Sequence, residues 1–379
     1  MNKKNHIPCL IMRGGTSKGV FFLENDLPID EKERDLILLN VMGSPDVKQI
    51  NGLGGGASVT SKTAIISVSN HPGADIDYTF AQVAVDKPLV SYKGNCGNIS
   101  AAVGPFAIER GLVKAVEPVT TVRIFNTNTG KIIEADVEVR NGCVNYKGDY
   151  RIAGVTGTGS PIKLKFVDPA GTIGDRLMPT GNVVDQLAVP GLGTIDVSIV
   201  DAANPLVFVK AKDLGLTGTE LPGDIDSDGA MLDKLEKVRG MAAVKLGLIS
   251  DYAASAWECP GLPKLTIVAE SAGYQTISGQ DIKANDIDLL SRMMSMQKTH
   301  PSYAMTGAMC TAAAAVIEGS IVNQVIAGKT DTDCIRIGHP GGILEAGVAY
   351  EGMADDITIK YTSGFRTANL LLEGNVYCC

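Results

Sequence analysis

The chain has 379 residues, 45% of them hydrophobic and 20% charged, and its formal net charge is -8. That length and composition predict two well-packed domains and exclude a disordered chain. The negative charge, with no basic cluster interleaved with aromatic residues, argues against nonspecific binding to nucleic acid or anionic membranes.

Targeting segments and cofactor motifs are not expected either. No apolar run reaches membrane-spanning length, and the first residues lead into a strand-like run rather than a signal peptide. The eight cysteines form no Cys-x-x-Cys pair and the four histidines lie far apart. A partial glycine motif at residues 52–57 lacks a clear acidic partner for a ribose. The sequence therefore predicts a cytoplasmic protein that uses no metal and no other cofactor.

The first half is predicted to alternate strands, glycine-rich turns and helices. A turn at residues 14–18 separates strands 9–13 and 19–23. A helix runs from about Asp30 to Met42, with Asp30 as its N-cap and Glu33 at the capping-box spacing. A glycine-rich loop at 51–57 precedes a strand at 63–68, and two further strands lie between residues 124 and 145 around a turn at 129–131.

The segment 93–99 stands out because strand-like residues from 75 to 92 precede it and an apolar, small-residue helix follows from Ser100. This places Cys96 at a helix N-terminus. There the unpaired N–H groups and the helix dipole favour a thiolate and also bind anions. The alternative is a small buried cysteine in a turn, and the segment alone does not decide between the two.

The second half repeats the order of the first, with strands at 195–209, a helix at 233–246, a strand at 265–270, an apolar helix that follows residues 306–311 and strands at 335–345. A repeat of this length indicates a duplicated domain rather than a solenoid, and chance similarity of short strands is the alternative. The predicted domains are 1–180 and 181–379, and the last strand, about 366–377, can return to the first domain. Cys96 and Cys310 are expected in equivalent turns facing a shared cleft.

Four stretches resemble the PrpF family. Met-Arg-Gly-Gly-Thr-Ser-Lys-Gly-Val-Phe-Phe at 12–22 is similar to the family's N-terminal signature, and Lys-Gly-Asn-Cys-Gly-Asn at 93–98 is similar to its central cysteine turn. The segments 58–62 and 366–377 also resemble the family, so the similarity spans nearly the whole chain. It implies an α/β (α+β) fold like that of diaminopimelate epimerase, in which two similar domains each wrap strands around a central helix.

The resemblance also implies an activity. Members of the family move C=C bonds in unsaturated di- and tricarboxylates by proton transfer without a cofactor. The resemblance is nearest to members that convert 2-methylitaconate to 2,3-dimethylmaleate. Isomerisation of 2-methylaconitate and tautomerisation of 4-oxalomesaconate are alternatives, as are an amino-acid epimerase and a noncatalytic organic-acid binding protein. The expected partner is the small carboxylate substrate, with no nucleic acid or membrane, and a homo-oligomer is compatible with the sequence.

The resemblance carries over to two catalytic positions, Lys62 and Cys96. A lysine in water is almost wholly protonated at pH 7, so a lysine base requires burial or a nearby positive group. How abstraction and return of the proton divide between the two residues stays open. Lys264 holds the position of Lys62 in the second half and is expected to be structural. The sequence around Cys310 departs from the epimerase motif, which leaves its catalytic role in doubt.

Hydroxyl, amide and backbone donors near the motif turns are candidates for holding the substrate carboxylates, although each could equally be a turn or capping residue. These candidate binding residues are Ser17, Ser58, Asn95, Gly97, Asn98, Ser302, Thr306, Gly307, Cys310 and Thr311.

Overall fold

The computed structural model describes residues 6–92, 95–326, 331–353 and 356–378. Lys93 and Gly94, which open the predicted cysteine turn, lie outside these ranges. The chain divides into two units, Met1–Val167 with Phe365–Cys379 and Asp168–Gly364. The division predicted from sequence, after residue 180, falls inside the second of them.

The first unit begins with strands whose buried residues face a helix. Its elements are β1 His6–Gly14, β2 Ser17–Leu23, α1 Glu31–Met42, β3 Lys62–Val68, β4 Ile76–Val83, β5 Val90–Ser91, α2 Gly97–Glu109, β6 Val119–Asn126, β7 Lys131–Arg140, β8 Cys143–Val144 and β9 Ile162–Val167. The predicted N-cap of α1 is confirmed, because the Asp30 carboxylate accepts a hydrogen bond of 2.9 Å from the backbone N–H of Glu33.

The helix α2 forms the centre of this unit. All its residues from Ile99 to Ile108 are buried, so it is apolar all round rather than amphipathic. Strands β1 to β4 and β6 to β8 all contact it. Small residues permit this packing: a Cβ at Gly104 would lie 3.0 Å from side-chain carbons of Ala135 and Val137 on β7. The helix starts directly after Cys96, as the sequence predicts.

The second unit contains a further central helix, α6, packed against β11, β12 and β19. Its elements are β10 Asp185–Val189, β11 Gly193–Asp201, β12 Pro205–Lys210, α3 Pro222–Asp226, α4 Gly229–Lys245, α5 Ser255–Glu258, β13 Lys264–Glu270, β14 Tyr274–Gln275, β15 Asp281–Ile282, β16 Leu289–Ser295, β17 Lys298–Thr299, α6 Met305–Val316, α7 Ile321–Val325, β18 Ile335–His339, β19 Gly342–Glu351 and β20 Thr358–Arg366. Among the described helices of the chain, none is long and apolar enough to cross a membrane.

The end of the chain forms one more strand, β21 Ala368–Tyr377, which pairs antiparallel with β1. With β21 included, the strands of the first unit pair in the order β21, β1, β2, β3, β4, β6, β7, β9. Those of the second unit pair in the order β10, β11, β12, β13, β16, β18, β19, β20.

These two orders match strand for strand, including the direction of each pairing. In both units the third and fourth strands are parallel, as are the fifth and sixth, and every other neighbouring pair is antiparallel. The match confirms the predicted fold class of two similar units built by duplication around central helices. It also identifies β10 as the counterpart of β21, which the sequence comparison left without one.

An ion pair recurs at the same place in both units. The Asp75 carboxylate accepts hydrogen bonds from the backbone and the guanidinium of Arg123 at 2.8 Å each. In the second unit Asp288 accepts the same bonds from Arg336 at 2.7 and 2.8 Å. Each pair joins the residue before one strand to the neighbouring parallel strand, so the duplication extends to individual side-chain contacts.

Candidate active site

Lys62 is the first residue of β3 and lies between β2 and β4. It faces Gly19 on β2 and Gln82 on β4, and its side chain is buried, with 8% of the residue exposed. A Cβ at Gly19 would lie 3.0 Å from the Lys62 carbonyl oxygen and 3.1 Å from Ile99 of α2, so the glycine permits close packing here. The sequence thus places a buried amine beside the central helix.

Two neutral side chains contact the amine. Lys62 Nζ donates a hydrogen bond to Gln82 Oε1 and lies 5.1 Å from the centre of the Phe80 ring. Both partners belong to β4, and in the described residues no carboxylate forms an ion pair with Lys62. A buried lysine is usually paired with an acid, so this environment is unusual for a purely structural lysine.

Cys96 is the N-cap residue of α2, with extended backbone angles of φ -121° and ψ 97°. Asn95 supports this turn, because its Oδ1 accepts hydrogen bonds from Cys96 N at 2.7 Å and from Ser100 Oγ at 3.2 Å. The thiol is half-buried. The first N–H groups of a helix have no intrahelical acceptor, so the residues after Cys96, beginning with Gly97 and Asn98, present donors at this end of α2.

The hairpin turn between β1 and β2 packs directly on the start of α2. A Cβ at Gly14 would lie 2.2 Å from the Asn98 carbonyl oxygen, and one at Gly15 would lie 2.2 Å from Asn98 Oδ1. The Asn98 side chain is held in place by a hydrogen bond from its Nδ2 to Thr16 Oγ1 at 2.9 Å. The glycine pair of the N-terminal signature is therefore explained by close approach of the turn to the helix that carries Cys96.

Arg366 is a residue of this site that the sequence prediction did not include. Only 5% of it is exposed, its Nε donates to Asn98 Oδ1 at 3.1 Å, and one terminal nitrogen donates to the Phe365 carbonyl at 2.8 Å. Burial lowers the pKa of Arg366 to about 10, while the nearby Tyr150 and Cys96 act in the opposite direction. The cation therefore lies close to the thiol, and the signal for it was the arginine that opens the resembling stretch 366–377.

Tyr78 is a second residue that the sequence did not single out. It is fully buried on β4, on the same face of the strand as Phe80 and Gln82. Burial raises the pKa of its phenol well above the ordinary value, and the charge of Cys96 acts in the same direction. Tyr78 therefore stays neutral next to the thiol.

The other predicted residues of the first unit lie around the same turns. Ser17 is buried at the start of β2, and Ser58 is exposed at the start of a 3-10 turn, where its carbonyl accepts a bond of 3.2 Å from Gln82 Nε2. Lys62, Cys96, Ser17, Ser58, Asn95, Gly97 and Asn98 thus all belong to the first unit.

The expectation that Cys310 occupies a turn equivalent to that of Cys96 is wrong. The N-cap residue of α6 is Ala304, and Cys310 is the sixth residue of the helix. Its side chain is fully buried, its Sγ donates to the Val200 carbonyl at 3.3 Å, and burial raises the pKa of the thiol. Cys310 therefore belongs to the apolar core of the second unit and is not placed to bind a substrate.

Thr311 is corrected for the same reason. It is fully buried, and its hydroxyl donates to the Gly307 carbonyl at 2.9 Å and lies 3.0 Å from Tyr303 Oη. Gly307 is also buried, and a Cβ there would lie 2.2 Å from Met293 Cε. The glycine therefore allows the Met293 side chain to pack closely against α6.

The remaining predicted residues of the second unit are less buried. Thr306 is in the first turn of α6, and the backbone N–H of Ser302 donates to His300 Nδ1 at 3.0 Å. Lys264 begins β13 as Lys62 begins β3, and it faces Leu206 where Lys62 faces Gly19. Burial, together with the charge of Arg239, lowers the pKa of Lys264.

No group of three or more His, Cys, Asp or Glu side chains that could hold a metal ion occurs in the described parts of the chain. The first unit brings three reactive or charged groups to the starts of α2 and β3. They are the amine of Lys62, the thiol of Cys96 and the guanidinium of Arg366.

Comparison with known proteins extends these observations. The family model described as PrpF protein matches residues 4–379. The chain is 48% identical to 3-methylitaconate isomerase of Eubacterium barkeri, over 100% of this chain and 98% of that protein. It is 43% identical to 2-methyl-aconitate isomerase of Shewanella oneidensis, over 96% of this chain and 95% of that protein.

Solved structures agree with the fold. A crystal structure of methylitaconate-delta-isomerase superposes with a TM-score of 0.91 at 48% identity, covering 98% of this chain and 95% of that chain. A hydroxyproline epimerase from Agrobacterium vitis superposes with a TM-score of 0.54 at 14% identity, covering 100% of this chain and 94% of that one. The second likeness concerns the fold alone and is consistent with the predicted epimerase-like architecture.

Proposed function

This chain belongs to the PrpF family, and we propose that it is a cofactor-independent isomerase that converts 2-methylitaconate to 2,3-dimethylmaleate. The observation that carries the proposal is the similarity over the full chain to 3-methylitaconate isomerase. The geometry of the first unit supports it, because a buried amine with neutral partners and a thiol at a helix start are groups that can move protons.

The reaction is a 1,3-proton shift. A base removes the proton from the carbon that carries both the methyl group and a carboxylate, and the electrons of that C–H bond form the new internal double bond. The electrons of the old double bond take up a proton at the terminal methylene carbon, which becomes a methyl group. No net oxidation occurs, and the negative charge that develops on the carboxylate needs stabilising donors.

We assign the base in this direction to Lys62 and the returning acid to Cys96. The side chains that contact Lys62 Nζ, Gln82 and Phe80, carry no charge, so no described carboxylate competes with the substrate for this amine. Arg366 and the first N–H groups of α2 supply positive potential beside Cys96.

An amino-acid epimerase of this fold would require a second thiol in a matching turn. Cys310 does not supply it, because it is buried within α6. A closer competitor is isomerisation of 2-methylaconitate, which is favoured by the similarity to 2-methyl-aconitate isomerase. Tautomerisation of 4-oxalomesaconate is a third possibility within the same reaction class.

Deuterium incorporation tests the proposal. Protein purified in the presence of a chelator is incubated with methylitaconate in deuterated water, and the product is analysed by NMR. We expect deuterium in the newly formed methyl group of dimethylmaleate. Faster turnover of methylaconitate or oxalomesaconate would identify that acid as the substrate instead, and the proposed reaction class would stay the same. Tight binding of these acids with no exchange would support a binding protein, and exchange at the α-carbon of an amino acid would support an epimerase.

A further inference from the structure

The amine of Lys62 is held by an amide rather than by a carboxylate. Its Nζ donates to Gln82 Oε1 from the neighbouring strand, in the register that places the two residues opposite each other. Side chains directly opposite in an antiparallel pair lie on the same face, so this contact follows from the strand register. Gln82 therefore determines which group the amine meets on β4.

The orientation of the Gln82 amide is fixed by backbone acceptors. Its Nε2 donates to the Ser61 carbonyl at 2.9 Å and to the Ser58 carbonyl at 3.2 Å. Carbonyl groups can only accept, so the nitrogen must face them and the oxygen must face Lys62. The same geometry would leave a carboxylate at this position facing two carbonyl oxygens.

The acceptor Ser61 is itself anchored. It is fully buried, and Gln49 Nε2 donates to its Oγ at 2.7 Å while Gln49 Oε1 accepts from Gly56 N at 3.0 Å. This chain of hydrogen bonds ties the glycine-rich loop to the residue before Lys62. The loop therefore supports the orientation of Gln82 through Ser61.

The groups that face Lys62 are uncharged on both flanking strands. β2 contributes Gly19, and β4 contributes Gln82 and the ring of Phe80, while Tyr78 lies farther along the same face of β4, opposite Ile66. The helix α2 packs against β2 to β4, and the Cys96 thiol at its start lies close to Arg366. An opposite charge within 4–6 Å favours the charged form of an ionisable group, so a carboxylate in place of the amide would hold Lys62 as an ammonium.

We propose that Gln82 is a positioning residue of this enzyme: it orients the amine of Lys62 and, as a neutral acceptor, leaves that amine free to take up a proton. Only the catalytic part of this role rests on the proposed function. The effect on the amine itself is a property of the two side chains and can be measured without turnover.

The chain offers a matched control. Lys210 Nζ donates to Gln324 Oε1, and Gln324 Nε2 donates to the Gly319 carbonyl, which repeats the bonding of Lys62 and Gln82. Lys210 and Gln324 lie in the second unit and are not part of the proposed machinery. Gln324→Glu therefore adds the same charge next to a lysine without touching the proposed site.

The experiment measures the acetylation rate of each lysine against pH by mass spectrometry, for the full-length wild type, Gln82→Glu and Gln324→Glu. Only the neutral amine reacts. For Gln82→Glu we expect the Lys62 profile to move to higher pH by about one unit or more. Gln324→Glu should leave the Lys62 profile unchanged and move only that of Lys210. A Lys62 profile that is the same in Gln82→Glu and the wild type, with both folded, would overturn the proposal.

The activity arm separates this inference from the proposed function. In Gln82→Glu we expect the rise of kcat/KM with pH to move to higher pH by the same amount as the acetylation profile. In Gln82→Leu we expect kcat to fall by a larger factor than KM changes. If the wild type isomerises none of the three acids, the proposed function fails while the acetylation result still decides the role of Gln82. A shifted acetylation profile with an unshifted kcat/KM profile would refute the catalytic part of the inference.

Discussion

At the scale of single residues, the two proposed proton carriers are held in different ways. Lys62 is held through its side chain, by an amide and an aromatic ring on β4. Cys96 is held through its backbone, by Asn95 and the start of α2. The amine is therefore sensitive to strand neighbours, and the thiol is sensitive to the helix and to Arg366. Substitutions around Lys62 should leave the surroundings of Cys96 largely intact, and substitutions around Cys96 should do the same for Lys62.

The first prediction compares the two equivalent lysines. Lys62→Ala should lower kcat by about 10²- to 10⁴-fold, the contribution typical of a general base, because it removes the amine that we propose as the base. Lys264→Ala, at the same position of the second unit, should retain most activity. Steady-state rates with methylitaconate measure both, and circular dichroism checks that both variants fold. Equal loss of activity in two folded variants would show that Lys264 also takes part.

The second prediction concerns the guanidinium beside the thiol. Burial lowers the pKa of Arg366 to about 10, so the side chain is still charged at pH 8. Arg366→Gln removes this charge and should slow alkylation of Cys96 by iodoacetamide several-fold at pH 8, because less thiolate is present. Arg366→Lys keeps the charge and should slow it less. Peptide mass spectrometry reports Cys96 separately from the other cysteines, and equal rates in the wild type and Arg366→Gln would contradict the prediction.

The resemblance carried by local motifs was sufficient to name Lys62 and Cys96 as candidates but not their partners. The cysteine turn and the strand after the glycine-rich loop are continuous segments, so their residues can be recognised without the fold. Gln82 reaches Lys62 from 20 positions away, and Arg366 reaches Asn98 from 268 positions away. Such contacts depend on strand register and chain topology, which no local pattern specifies.

At the scale of elements, the two central helices differ at their starts even though their units share one strand order. The sixth residue of α6 is Cys310, whereas Cys96 precedes α2. The sequence before α6 offers Ala304 in place of a Ser, Thr, Asp or Asn cap, so its start could not be located from capping preferences. Composition predicted a buried, small-residue helix correctly, but the position of the thiol depended on a boundary that composition does not define.

The third prediction uses the ion pair repeated in both units. Burial opposes ionisation of Asp75, but the hydrogen bonds and charge of Arg123 outweigh it and lower the pKa of the carboxyl. A lowered folded-state pKa means that the stabilisation is present above the ordinary pKa near 4 and is lost as pH falls through the folded-state value. Asp75→Asn should therefore reduce the free energy of unfolding by about 1 kcal/mol at pH 7 and by less at pH 3.

Urea unfolding at the two pH values measures this difference. Asp288→Asn is the matched variant in the second unit, where Arg336 donates to Asp288 as Arg123 donates to Asp75. A loss of stability at pH 3 as large as that at pH 7 would show that packing of Asp75, rather than its charge, stabilises this strand pair.

At the scale of the whole molecule, duplication explains why β21 pairs with β1 of the first unit. The second unit begins with β10, which forms a hairpin with β11. The first unit receives the equivalent strand, β21, from the far end of the chain. The sequence identified the repeat through the order of its central elements, but the strand that starts one copy stands at the end of the chain in the other. Only pairing in three dimensions reveals that equivalence.

The last prediction is that the chain tolerates circular permutation at this hairpin. His6 pairs with Tyr377, as Gly193 pairs with Val189 in the hairpin of the second unit. Joining Tyr377 to His6 through a short engineered linker would close an equivalent hairpin loop. New termini between Asp175 and Arg176 fall where both side chains are exposed, at 95% and 71%. We expect this permutant to fold with an unchanged melting temperature and full isomerase activity.

Removing residues 368–379 is the informative comparison, because it leaves β1 with an unpaired edge. It also removes the strand that follows Thr367, whose carbonyl accepts a hydrogen bond of 2.9 Å from the Arg13 guanidinium. Hydrogen exchange should show loss of protection in β1 and β2 of the truncated chain, with β11 to β13 still protected. The permutant should show protection in both sets of strands. A truncated chain as protected as the full-length protein, or a permutant that fails to protect β1, would mean that β21 does not complete the first unit.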